Sequence, residues 1–152
     1  MHPAFQGEAP VLCIAGQGPL DEAAAIMLAQ LLTKHGLGVR VEGAEALSTQ
    51  NISRLETDGI ALACLCYLDG GSPAHMRYAV RRLRRKLSEV EIVLGCLTGT
   101  AGSTAELMRD AAKADHVGTS LRDIVQLCLE AAKASTPVQE PATIPFPKLA
   151  AT

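Results

Sequence analysis

Val11-Leu12-Cys13-Ile14-Ala15-Gly16-Gln17-Gly18-Pro19-Leu20-Asp21-Glu22 is the stretch that decides the fold. An unbroken apolar run ends at a pair of glycines, and a helix opens directly behind them. A strand apolar at every position is one covered on both faces, and such strands build parallel sheets. Pro19 suits the first helical position, where a missing N–H forfeits nothing, and Asp21 and Glu22 complement the positive end of the helix. The helix continues through an alanine-rich run to Leu32, with Leu20, Ala24, Met27, Leu28 and Leu31 expected on its inward face. Gly36 and Gly38 stop it.

The rest of the chain repeats this alternation. Residues 38–41 read as a short second strand, and Ser48 is expected to cap a helix through Leu55 with Ile52 and Leu55 inward. Asp58-Gly59 turns into the longest apolar run, 60–68, the expected central strand. After Asp69-Gly70-Gly71-Ser72-Pro73 a helix runs to about Leu87, its inward stripe being Met76, Val80, Leu83 and Leu87. A strand over 92–97, a glycine- and threonine-rich turn, a helix to about Ala114, a brief strand over 115–118 and a helix capped by Ser120 complete the series. Strand and helix alternate five times, which implies an α/β fold: a five-stranded parallel sheet with helices on both faces, in the flavodoxin-like order 2-1-3-4-5. Residues 1–9 read as a flexible lead-in and 10–134 as the domain. Residues 135–152, with Pro137, Pro141, Pro145 and Pro147, read as a disordered tail.

Composition narrows the partners. At 152 residues there is room for one domain with a substantial core. Hydrophobic residues make up 48% of the chain, yet there is no Trp and only two Tyr and two Phe, so the core must be aliphatic. So few aromatics leave little for bases to stack on, and a net charge of −2 gives no general attraction for nucleic acid. No apolar run approaches the ~20 residues of a bilayer span, and the first residues lack the pattern of a secretory signal. Five cysteines inside apolar segments read as reduced, buried thiols of a cytosolic protein, not as a metal or redox site.

Four constellations could carry chemistry. Gly16-Gln17-Gly18 lies where α/β sheets bind ligands, but the next position of a dinucleotide turn holds Asp21, and Asp21 and Glu22 would repel phosphate. A tight strand-to-helix turn explains the glycines alone. Arg77, Arg81, Arg82, Arg84, Arg85 and Lys86 set six cations opposite an apolar stripe, either a solvated face or a contact for an anionic surface. Cys13, Cys64, Cys66 and Cys96 fall on adjacent central strands and read as small apolar packing. Asp69, Ser72 and His75 after the central strand, and Thr98, Thr100 and Ser103 after the fourth, include groups of acid–base and nucleophilic type. No Gly-x-Ser-x-Gly elbow accompanies them, and the acidic pair and lysine of a phospho-acceptor domain are missing. Ser72 ahead of Pro73 is first a helix cap.

The first strand–turn–helix, the segment from Tyr67 to Tyr78 and the run Arg81-Arg82-Leu83-Arg84 resemble cobalamin-binding-like domains. More narrowly, they are similar to the soluble C-terminal extension of some bacterial permeases of the autoinducer-2 exporter family. Cobalamin binders carry Asp-x-His-x-x-Gly after the first strand, and those places here hold Gly18, Leu20 and Ala23. The serine and threonine they use after the third strand fall on Cys66 and Gly70, and their glycine pair falls on Gly95-Cys96. Leu20 offers no donor to cobalt, so no cofactor is expected. The resemblance implies a cytoplasmic regulatory or ligand-sensing domain beside a membrane permease and an anionic leaflet. A ligand would sit over Gly16, Gln17, Gly18, Asp69, Gly70, Ser72 and Thr98. A corrinoid carrier with a decayed motif and an enzyme using His75 or Asp69 are the alternatives, and a homodimer is left open.

Overall fold

The computed structural model describes residues 3–68, 72–97 and 102–134. Five strands, β1 (Val11–Ala15), β2 (Val39–Glu42), β3 (Leu62–Tyr67), β4 (Glu91–Cys96) and β5 (His116–Gly118), form one parallel sheet in the order 2-1-3-4-5. Of the four helices, α1 (Pro19–Lys34), α2 (Pro73–Lys86) and α3 (Gly102–Ala112) lie between strands, and α4 (Leu121–Ala134) follows β5. The chain leaves β1 for the β2 edge and returns to β3 on the other side. The loops after β1 and β3 therefore diverge at the carboxyl end of the sheet, which is where such folds open a crevice.

Alternation along the strands sorts the core into two layers. Leu12, Ile14, Leu65, Tyr67, Ile92 and Leu94 face α2. Val11, Cys13, Leu62, Cys64, Cys66 and Val93 face α1 and α4. Every residue of β1 and β3 is buried, as apolar runs covered from both sides require. Ahead of β1, a 3-10 turn over Pro3–Phe5 carries Phe5 into the α1 layer. No described helix is long and apolar enough to cross a membrane.

Two expectations are corrected. The segment expected to be a helix from Ser48 to Leu55 instead holds one 3-10 turn, Ile52–Arg54, with Leu55 buried behind it, and a second 3-10 turn, Ala44–Leu47, lies just ahead of Ser48. Ser48 does cap, but only a single turn: its Oγ accepts from the Asn51 amide at 3.2 Å. Helical runs of only four and three residues leave no room for repeated α-helical bonds, and the tighter 3-10 pattern serves such short connectors. The inward face of α1 also differs. Asp21, Ala24, Ala25, Leu28 and Leu32 point into the core, whereas Leu20 and Met27 are exposed. A helix apolar on most sides does not fix its own rotation. The polar bonds of Asp21, described below, fix it.

Candidate functional site

At the carboxyl ends of β1 and β3 a group of the chain itself bridges the two strand ends. Asp21, in the first turn of α1, is the only buried charged residue among those described. One carboxylate oxygen accepts from the Gln17 amide at 2.8 Å, and the other accepts from the Leu68 amide at 2.6 Å. Backbone amides after β1 and at a helix N-terminus are the groups with which such folds hold an anionic ligand. Here an internal anion holds one amide after β1, that of Gln17, and one after β3, that of Leu68. That carboxylate also joins the two diverging loops.

Tyr67, at the end of β3, fills the other side of the opening turn. A Cβ on Gly16 would come within 2.2 Å of the Tyr67 ring, so the first glycine exists to admit that ring. Tyr67 is fully buried, and its hydroxyl shares a hydrogen bond of 3.2 Å with Nδ1 of His75, whose ring stands edge-on to it. Burial and the negative charge of Asp21 push the Tyr67 phenol well above its ordinary range.

The expected ligand residues separate accordingly. Gly16 lines a groove of about 310 Å³ with Ser48, Thr49, His75, Tyr78 and Arg82, on the α2 side of β1. Gln17 and Gly18 line a smaller hollow of about 250 Å³ with residues 19–21. Ser72 is the cap of α2, its Oγ accepting from the His75 amide at 3.1 Å. Asp69, Gly70 and Thr98 lie outside the described residues, as does the tail over 135–152. A larger hollow, about 530 Å³, lies elsewhere, at the β2 edge among Glu22, Glu42, Glu45, Glu56, Arg40 and Arg54. Its Arg40 is already tied to Glu42 and to the Glu56 carbonyl.

The six cations of α2 divide into two classes. Arg82 donates to the Leu47 carbonyl and to Thr49 Oγ1, both at 2.8 Å, bonds the Tyr78 hydroxyl and lies over the Tyr78 ring. Arg84 donates to the Lys113 carbonyl and pairs with Asp115 at 2.8 Å. Lys86 reaches the Ser53 carbonyl at 3.4 Å. These three side chains fasten the 3-10 connector and the end of α3 to α2. Arg77, Arg81 and Arg85 are exposed and make no hydrogen bond or ion pair with another described residue. Spaced four apart, they form one stripe along the helix. Arg77, Arg81, Arg84 and Lys113 also line a groove of about 260 Å³ between α2 and α3, floored by Val80 and Ala112, with no carboxylate among its described lining residues.

The thiols are packing. All five cysteines are free and buried. Cys13, Cys64, Cys66 and Cys128 share the α1 layer, with Cys64 and Cys128 sulfurs 3.5 Å apart, and Cys96 lies in the α2 layer. Burial pushes Cys66 up to about 12 and Cys96 up to about 11. Cys64 is raised as well: its hydrogen bond to Cys128 pulls the other way, but the contact with Cys13 and burial prevail. Thiols held protonated are poor nucleophiles and poor ligands. Among the described residues, no group of three His, Cys, Asp or Glu is arranged to hold a metal ion.

With this geometry in place, the crystal structure of a novel cobalamin-binding protein from Desulfitobacterium hafniense DCB-2 superposes on the chain with a TM-score of 0.63. The fold is that of a cobalamin-binding-like domain. Sequence identity is 15%, and the match covers 81% of this chain but only 58% of that one, so the likeness speaks for architecture alone. No protein-family model matches the chain, and no curated protein does. The residues of the opening turn do not fit a histidine-ligated corrinoid. Leu20 stands half-exposed where a nitrogen donor would be needed, and Tyr67 and Asp21 take up the turn from within. Gly95, which falls on a glycine of the cobalamin pattern, has a packing reason: a Cβ there would meet Ile124 of α4 at 2.7 Å.

Asp21, Tyr67 and the tethering role of Arg82 are what the sequence reading missed. One signal was present for Asp21. It lies on the helical meridian of Ala25, Leu28 and Leu32, the spacing of a buried stripe.

Proposed function

We propose that this chain is a non-catalytic docking domain whose α2 face rests against an anionic phospholipid surface. The observation that carries this reading is the division of the α2 cations: three are fastened within the protein, and Arg77, Arg81 and Arg85 are left outward in a row. A stripe retained beyond what packing uses is a stripe available to a partner. Each arginine near an anionic leaflet contributes about 1 kcal/mol, so the domain alone binds weakly and reversibly. Resemblance to soluble domains that accompany bacterial exporters supports a cytoplasmic place beside a membrane permease. The non-catalytic reading draws on the buried, protonated thiols and on His75, whose Nδ1 is engaged by Tyr67.

Co-sedimentation with vesicles tests it. Binding to phosphatidylglycerol vesicles, little binding to phosphatidylcholine, and loss of binding with added salt are the expected results. The triple variant Arg77→Ala/Arg81→Ala/Arg85→Ala should weaken binding by about a hundredfold. Equal binding to neutral vesicles, or an unaffected triple variant, rules the reading out.

A second reading, ligand sensing, is favoured by the groove beside Gly16, where Ser48, Thr49, His75, Tyr78 and Arg82 offer both an aromatic face and hydrogen-bonding groups. A thermal-shift screen against small polar metabolites, repeated on Tyr78→Ala, tests it. No stabilising compound would leave the docking role.

A further inference from the structure

Lys113 is the one residue other than glycine, among those described, whose φ is positive, at 67°. It follows the last turn of α3, where the amides of Lys113 and Ala114 donate back to the carbonyls of Asp110 and Arg109. α1 ends on the same pair of bonds, from Gly36 and Leu37 to Thr33 and Leu32, and there Gly36 takes the left-handed place. Glycine fits that place without strain, and a residue with a side chain does not. A lysine kept where a glycine would be easier points to a use for its charge.

The exposed Lys113 lines the groove between α2 and α3 from the α3 side, and Arg77 and Arg81, one helical turn apart, line it from α2. The side chains of these three make no hydrogen bond or ion pair with another described residue. Arg84, the fourth cation, is committed to the end of α3: it donates to the Lys113 carbonyl and pairs with Asp115. That bond also offsets the negative end of the helix. Three uncompensated cations above the buried, apolar Val80 and Ala112 focus a positive field in a cleft of about 260 Å³. We infer that this groove is a binding site for a phosphate monoester, carried by a lipid headgroup or by a small soluble molecule. A monoester brings three acceptor oxygens and a charge of about −1.5 to −2 at neutral pH, which suits two guanidinium forks and an ammonium. A carboxylate or a phosphodiester brings a single charge. The lipid source rests on the docking reading above, whereas the chemistry of the groove does not.

Titration of the full chain with glycerol 3-phosphate, followed by nuclear magnetic resonance, should shift the amides of Arg81 and Lys113 saturably. Glycerophosphoglycerol, a diester, should bind more weakly. Lys113→Gly should weaken glycerol 3-phosphate binding by about tenfold and raise the melting temperature, because glycine relieves the left-handed backbone. Arg85→Ala, outside the groove, should leave this binding unchanged. Vesicles separate the two sources. Tighter binding to phosphatidic acid than to phosphatidylglycerol at equal surface charge, with the preference lost in Lys113→Gly, assigns the monoester to a lipid. Saturable glycerol 3-phosphate binding without that preference assigns it to a soluble molecule. If neither kind of vesicle binds, the docking reading fails while the groove still answers to glycerol 3-phosphate. Absence of a saturable shift, or binding that Lys113→Gly leaves intact, overturns the inference.

Discussion

Asp21 in the first turn of α1 accepts a hydrogen bond from the amide of Leu68 at the end of β3, 2.6 Å away across 47 residues of sequence. With its second oxygen it holds Gln17, so one carboxylate binds together the two loops between which this fold opens its crevice.

Asp21→Ala leaves two amides without their acceptor and should destabilise the protein by about 3 kcal/mol. Asp21→Asn keeps one acceptor oxygen and should lose about half as much. Urea denaturation of the three proteins checks the order. An Asp21→Ala variant as stable as the parent would mean that the carboxylate is not a fastening.

Gly16→Ala should destabilise by at least about 2 kcal/mol, because the added methyl overlaps the buried Tyr67 ring. Tyr67→Leu removes the obstacle, so Gly16→Ala should be far milder in that background than in the parent. A double-mutant cycle measures the difference. Strict additivity would show that the two residues do not meet.

The cations of α2 should part into two classes on substitution. Arg82→Ala removes bonds to Leu47 and Thr49 and should lower stability by about 1–2 kcal/mol. Arg81→Ala should change stability by less than about 0.5 kcal/mol. Thermal melts of both give the comparison, and equal losses would contradict the division.

The thiols predict an alkaline limit. Cys66 titrates at about 12 in the folded protein, against an ordinary value of 9.0. A raised acid binds its proton more tightly when folded, so its contribution is whole below pH 9 and is lost as pH rises from there toward 12. Stability should fall across that window, and Cys66→Ala should make the fall shallower. At neutral pH the native protein should react slowly with a thiol reagent, and all five cysteines should react after unfolding.

Much of the fold was legible because its signals are local. Apolar runs mark β1 and β3, Pro19 and Pro73 open helices, and Ser72 and Ser120 accept from the amides three residues on. Strand alternation then led to the observed sheet order. The misses involve distance. The rotation of α1 depends on a bond between Asp21 and Leu68, and the tethering of Arg82 depends on Leu47, 35 residues away. Asp21 shares the buried spacing of α1, but spacing does not name its partner Leu68, and nothing in the spacing of α2 names Leu47 for Arg82. The Ser48–Leu55 segment failed differently: its cap and apolar spacing satisfy a helix, but only Ile52–Arg54 coils, as a single 3-10 turn.

The most direct test follows the amides of the full chain by nuclear magnetic resonance while small anionic bicelles are added. The account predicts perturbation at Arg77, Arg81 and Arg85 and none at Gln17 or Leu68, whose amides are already held by Asp21. Perturbation centred on Gln17 and Leu68, with α2 unchanged, would contradict it.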